Sequence, residues 1–194
     1  MKPARCLALA ATLVAYSDVA LAHPLHDGGA SFLAGLSHPF LGVDHLLAMV
    51  AVGIWAACLG RRAVWLVPSA FLLAMLGGGV SGLVGWSVPA VEPMVAASVL
   101  VLGLLITSQL RLESGVAATL VALFAVFHGL AHAAELPAGL PVLGYVAGFS
   151  LSTAALLLIG FVAGARLTVQ PRFAPFAGLP VSLAGCILVA RALL

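Results

Sequence analysis

The chain has 194 residues, of which 63% are hydrophobic and 7% charged, with a formal net charge of +2. A soluble domain carries about 25% charged residues, so this composition cannot solvate a water-soluble protein of this size. The apolar runs are continuous rather than alternating, which excludes a β-barrel, and the small net charge without a basic cluster excludes nucleic acid as a partner.

In chain order, the first 22 residues read as a cleaved signal peptide. Lys2 and Arg5 form a positive start, Cys6 to Ala15 an apolar stretch, and Ala20-Leu21-Ala22 a cleavage site. The mature chain, 23–194, would begin His23-Pro24-Leu25-His26-Asp27. A free amine with His23, assisted by His26 and Asp27, could capture a metal ion. A floppy terminus is the more usual reading of such a segment.

About 20 apolar residues cross a bilayer as a helix. Six runs follow the signal, at roughly 31–58, 63–84, 88–108, 114–135, 139–164 and 174–193. The fold class expected is therefore all-α, a polytopic membrane protein with a bundle of six transmembrane helices. The first and fifth runs are long enough to tilt or to begin with a non-spanning turn. Lys and Arg favour cytoplasmic loops. Arg61, Arg62, Arg111, Arg166 and Arg172 all fall in loops on one side, with only Arg191 on the other. This puts the mature N-terminus and the C-terminus in the periplasm of an inner-membrane protein. Cys58 and Cys186 lie in predicted helices without CxxC spacing and read as buried small hydrophobes. Gly78 and Gly82 form a GxxxG, a helix-packing signal. Histidine motifs opening the first run and closing the fourth would also suit an inverted repeat, although no sequence identity supports one.

The polar residues inside these runs are few. In the first run stand His38, Asp44 and His45; in the third, Glu92; in the fourth, His128, His132 and Glu135. A charged group at the centre of a membrane helix costs roughly 2.5–3.5 kcal/mol, so such groups persist by facing one another, water or an ion. The predicted topology brings all seven to the outer leaflet. At 1.5 Å rise per residue His128 lies about 10 Å deeper than Glu135, which makes a funnel.

His128 and His132 are spaced i, i+4, and Glu135 follows His132 by three, so one helix face carries all three. Two imidazoles and a carboxylate suit a divalent first-row metal. The competing reading gives each histidine a buried carbonyl and leaves Glu135 in the wet rim. His38 and His45, at i and i+7, would share a stripe with Met49, which reads as core. Asp44 would orient the neighbouring imidazole through a carboxylate hydrogen bond. Pro39 and Gly42 could open the helix start and free backbone carbonyls. An ordinary helix start capped by Ser37 fits Pro39 equally well. Glu92, between Pro89 and Pro93, fits ion access and also the favourable end of a helix dipole.

At these residues the chain resembles the HupE/UreJ family of bacterial inner-membrane metal permeases. His38-Pro39-x-x-Gly42-x-Asp44-His45 is similar to its HPxxGxDH motif, and Phe127-His128-Gly129-x-Ala131-His132-x-x-Glu135 to its FHGxAHGxE motif. Val91-Glu92 followed by Ala96 to Gly103 resembles its third-helix signature. Ala133 departs from the pattern, where the family usually has glycine. The resemblance implies uptake of nickel, or cobalt in some relatives, with an indirect link to hydrogenase, urease or cobalamin pathways. It implies no permanent cofactor, Ni²⁺ or Co²⁺ as substrate, and His38, Asp44, His45, Glu92, His128, His132 and Glu135 as transport residues. No ATPase motif occurs, which leaves facilitated diffusion or proton coupling. Two other readings of the donors are an intramembrane metal hydrolase and a bis-histidine haem protein; the first lacks an HExxH.

Overall fold

A computed structural model describes residues 28–60 and 62–194. The signal segment, His23, His26 and Arg61 lie outside the described residues. Among the described residues seven α-helices follow one another: α1 Gly28–Leu41, α2 Val43–Leu59, α3 Ala63–Leu83, α4 Val91–Thr107, α5 Ser114–Ala134, α6 Val142–Val169 and α7 Ala174–Ala192. A 3₁₀ turn, Pro171–Phe173, leads into α7. α3, α5, α6 and the turn with α7 are long and apolar enough to cross a membrane, and α1 with α2 makes a fifth candidate if the bent pair is one span. At 17 residues α4 is apolar but shorter. The chain is an all-helical membrane protein.

The expected runs coincide with helices, with one break. The first run is not a single helix: it divides at Gly42, and its two arms meet at 80°. Two residues explain the break. Pro39, inside α1, has no N–H for the carbonyl four residues back. Gly42 is extended, at φ −93° and ψ 111°, and α2 starts immediately after it. His38 and His45 therefore do not share a helical stripe; they sit on either side of a corner. Ser37 is not a cap either, since its hydroxyl donates to the Leu33 carbonyl at 3.0 Å within α1. The fifth run extends to Val169. Cys186 is exposed on the apolar surface rather than buried, whereas Cys58 is half-buried.

α2 is the central helix. Residues Ala48 to Ala57, with the exception of half-buried Val50, are buried, as expected for a helix without a polar face. Around Met49, Val52 and Trp55 pack Phe71 and Met75 of α3, Val99 and Leu102 of α4, Val121 and Ala125 of α5, and Phe149 and Leu156 of α6. The closest helix pairs are α3 with α5, α4 with α7, and α6 with both α1 and α2. Trp65, Leu73, Leu143 and Leu158 face outward, where lipid rather than water is the compatible solvent.

Small residues set these contacts. A Cβ on Gly78 of α3 would overlap the Val126 carbonyl of α5 and lie 2.9 Å from its Cα. The GxxxG is thus a seam between two backbones. Overpacking of this kind costs about 1–3 kcal/mol. Gly78→Ala should lower stability by that amount, read as a lower midpoint of thermal unfolding in detergent.

Candidate metal site

The corner at Gly42 aims two histidines at one point. His38 comes from the last turn of α1, Asp44 and His45 from the first turn of α2. His128 and His132 occupy the last two turns of α5, and Glu135 is its C-cap. The imidazoles touch. Ring centroids are 4.6 Å apart for His45 and His132, 4.9 Å for His45 and His128, 4.9 Å for His38 and His132, and 6.2 Å for His38 and His45.

Each imidazole has a different environment. The Asp44 carboxylate accepts from the His45 backbone N–H and from its Nδ1, both at 2.8 Å. That leaves the lone pair on His45 Nε2, which is buried without a partner. Gly42 makes this arrangement possible: a Cβ there would stand 2.9 Å from Asp44 Oδ1 and 3.1 Å from His45 Nδ1. On α4, the Ser98 hydroxyl gives its one proton to the Val95 carbonyl at 2.6 Å. Its oxygen must then accept from His128 Nε2, 3.0 Å away. The His128 lone pair is consequently on Nδ1, again buried and unpartnered. His132 has no partner on either ring nitrogen. Phe149 of α6 stacks on it, with centroids 4.8 Å apart and planes 14° from parallel. His38 is half-buried and shares a proton with Glu135, Nε2 to Oε2, at 2.9 Å.

Buried polar atoms are nearly always hydrogen-bonded. Four imidazole nitrogens in one cluster lack partners; in neutral rings three of them carry lone pairs, which call for an electrophile. A divalent cation uses lone pairs that a hydrogen-bond network would have consumed. Among the described residues, one ligand atom each from His38, His132 and Glu135 lie within 4.8 Å of one another.

Glu92 is not part of that cluster. It is exposed in the first turn of α4 and, with Glu135, lines a cavity of about 400 Å³ between the ends of α3 and α5 and the start of α4. The two carboxylates give the mouth a negative potential. Ala133 borders the same cavity. Its methyl occupies room that Gly82 leaves free, since a Cβ on Gly82 would come within 2.6 Å of it.

Sequence reasoning missed Ser98, Tyr145 and Phe149 as neighbours of the site. Ser98 had a usable signal. It lies seven residues into α4, and His128 lies seven residues before Glu135. With the two helices running oppositely from the mouth, both sit about 10 Å deep. Tyr145, whose ring centroid is 5.7 Å from His38, is indistinguishable in sequence from a lipid-interface tyrosine.

The chain is thus a helical membrane protein with an imidazole–carboxylate cluster that could hold a metal ion. The residues 10–188 match the family described as HupE / UreJ protein. The chain belongs to this family, whose members are transporters and accessory proteins associated with nickel uptake for hydrogenase and urease, and it is not an enzyme. It is 46% identical over 183 residues to Protein HupE of Rhizobium leguminosarum bv. viciae, covering 92% of this chain and 95% of that protein. No solved structure matches.

Loss of a second-layer partner typically weakens metal binding about 10–100-fold. Ser98→Ala should do so for Ni²⁺ measured by titration calorimetry. In the same variant the ¹⁵N shifts of His128 should lose the single-tautomer pattern.

Proposed function

We propose that this protein imports Ni²⁺, and Co²⁺ with it, from the periplasm across the bacterial inner membrane to supply metalloenzyme maturation. The observation that carries the reading is the set of buried imidazole nitrogens without partners, gathered beside an acidic cavity. The six apolar runs would form the membrane-crossing domain after signal cleavage, with both termini periplasmic. Arg62, Arg111, Arg166 and Arg172 lie at or beyond the helix ends opposite the histidine motifs. That supports an orientation with the site facing outward.

The chemistry follows from the donors. Glu92 and Glu135 draw a hydrated cation into the cavity. At the rim, M²⁺ takes the place of the proton between His38 and Glu135, and His132 replaces a water. Deeper in, His45 and His128 offer lone pairs already directed by Asp44 and Ser98, so little reorganisation is needed. The same nitrogen–oxygen donor set suits nickel and cobalt, and competition between the two ions ranks them. A hydrolase is excluded by the family. Imidazole rings in mutual contact leave no slot for a haem macrocycle between them.

Cells expressing the chain should accumulate labelled Ni²⁺ above a vector control, and His132→Ala should remove at least about ten-fold of the excess. Equal uptake by the variant overturns the reading. Metal ligation requires neutral imidazole, whose ordinary pKa is about 6.5. Protonation competes with the ion, so Ni²⁺ affinity of the purified protein should be retained above pH 7 and fall at least about ten-fold by pH 5.

A further inference from the structure

We propose that the cluster comprises two positions for a divalent cation in series, which share His132. The outer position is formed by His38, His132 and Glu135, and the deeper one by His45, His128 and His132. This rests on the transport reading above and divides its site.

One ion cannot use every donor. With nitrogen and oxygen bonds of about 2.0–2.2 Å, any two ligand atoms on the same ion lie within roughly 4 Å of each other. The compact set whose ligand atoms fall within 4.8 Å contains His38, His132 and Glu135; His45 and His128 stand outside it. Those two belong to no such compact set, so the deeper position is a cluster of rings whose nitrogens close on an ion by turning inward. The His45 ring touches both the His128 and His132 rings, with centroids at 4.9 and 4.6 Å. Asp44 and Ser98 hold the proton-bearing edges of His45 and His128, leaving His45 Nε2 and His128 Nδ1 buried and unpartnered.

His132 is the hinge between the two. Both of its nitrogens are unpartnered and buried. Stacking on Phe149 fixes the plane of the ring, and since neutral imidazole carries one lone pair and one N–H, His132 serves one position at a time, its ring proton changing nitrogen as the ion passes. The positions also differ in charge. The outer one carries the half-exposed Glu135 carboxylate, which attracts a hydrated ion. The deeper one binds through neutral nitrogens alone and lacks a carboxylate ligand, so it holds the ion less tightly. Conduction needs sites weak enough to leave as well as strong enough to fill.

Nickel K-edge X-ray absorption counts imidazole ligands. The purified full chain in lipid nanodiscs would be loaded with one equivalent of NiCl₂. Because the tighter outer position fills first, two positions predict two imidazoles with a carboxylate in the wild type and in His128→Gln, and three imidazoles in Glu135→Gln. Ser98→Ala, which leaves every imidazole in place, should lower that count of three when it is added to Glu135→Gln. Four imidazoles in the wild type, still four in Glu135→Gln, would overturn the proposal and leave the transport reading intact. A wild type that binds no Ni²⁺ would overturn both.

Discussion

The structure depends on one unusual balance: lone pairs kept free where nothing else is free. In an apolar bundle a polar atom without a partner is costly, and folding ordinarily consumes it. Here Asp44 and Ser98 each take the N–H of an imidazole and so leave the opposite nitrogen bare. The histidines are satisfied on one edge and available on the other. Family membership places this chain among nickel-associated membrane proteins. The bare edges supply the physical reason a cation would be drawn in.

Access and depth follow from helix direction. α5 ends at the mouth and α4 begins there, so their side chains descend into the bundle from the same level. Glu92 and Glu135 stand around the cavity, and Ser98 and His128 lie buried about two turns deeper. Below them the packing closes. The Phe71 ring lies 5.6 Å from His128, and Met49, Met75 and Trp55 are buried beyond it. At the far end the Trp55 indole donates to the Leu110 carbonyl at 3.3 Å. On the proposed reading, the side with the acidic cavity is the side of entry, and release past this packing requires helices to shift.

Much of this was legible in the sequence. Among the described residues, hydropathy located α3 to α7 to within about five residues, because a twenty-residue apolar run has few alternatives to a helix in lipid, but it merged α1 and α2 into one run. The seven candidate residues could be named because ionisable groups stand out against such a background. The break at Gly42 was not legible in the same way. Pro39 and Gly42 are equally at home near an ordinary helix start, and only the packing of α1 and α2 on neighbours selects a corner. Ser98 was hidden for a different reason: serine is common on small-residue helix seams, so its hydroxyl carried no mark until its partner His128 was located. Glu92 was visible as a carboxylate, but its distance from the imidazoles depends on where α4 begins.

α6 spans 28 residues, about 42 Å, and touches both arms of the bent pair. Gly148 lies against the backbone of α1 near Phe32 and Leu36, while Gly160 and Gly164 lie against Val50 and Ile54 of α2. One straight rod thus serves as the template on which the elbow is laid. The gap between His38 and His45 is set along a line of bare backbone far longer than the site itself. Bulk added at the lower end of that line would tilt one arm and reach the ligands as a change of spacing. On the proposed reading, metal preference is therefore tunable from positions that never meet the ion.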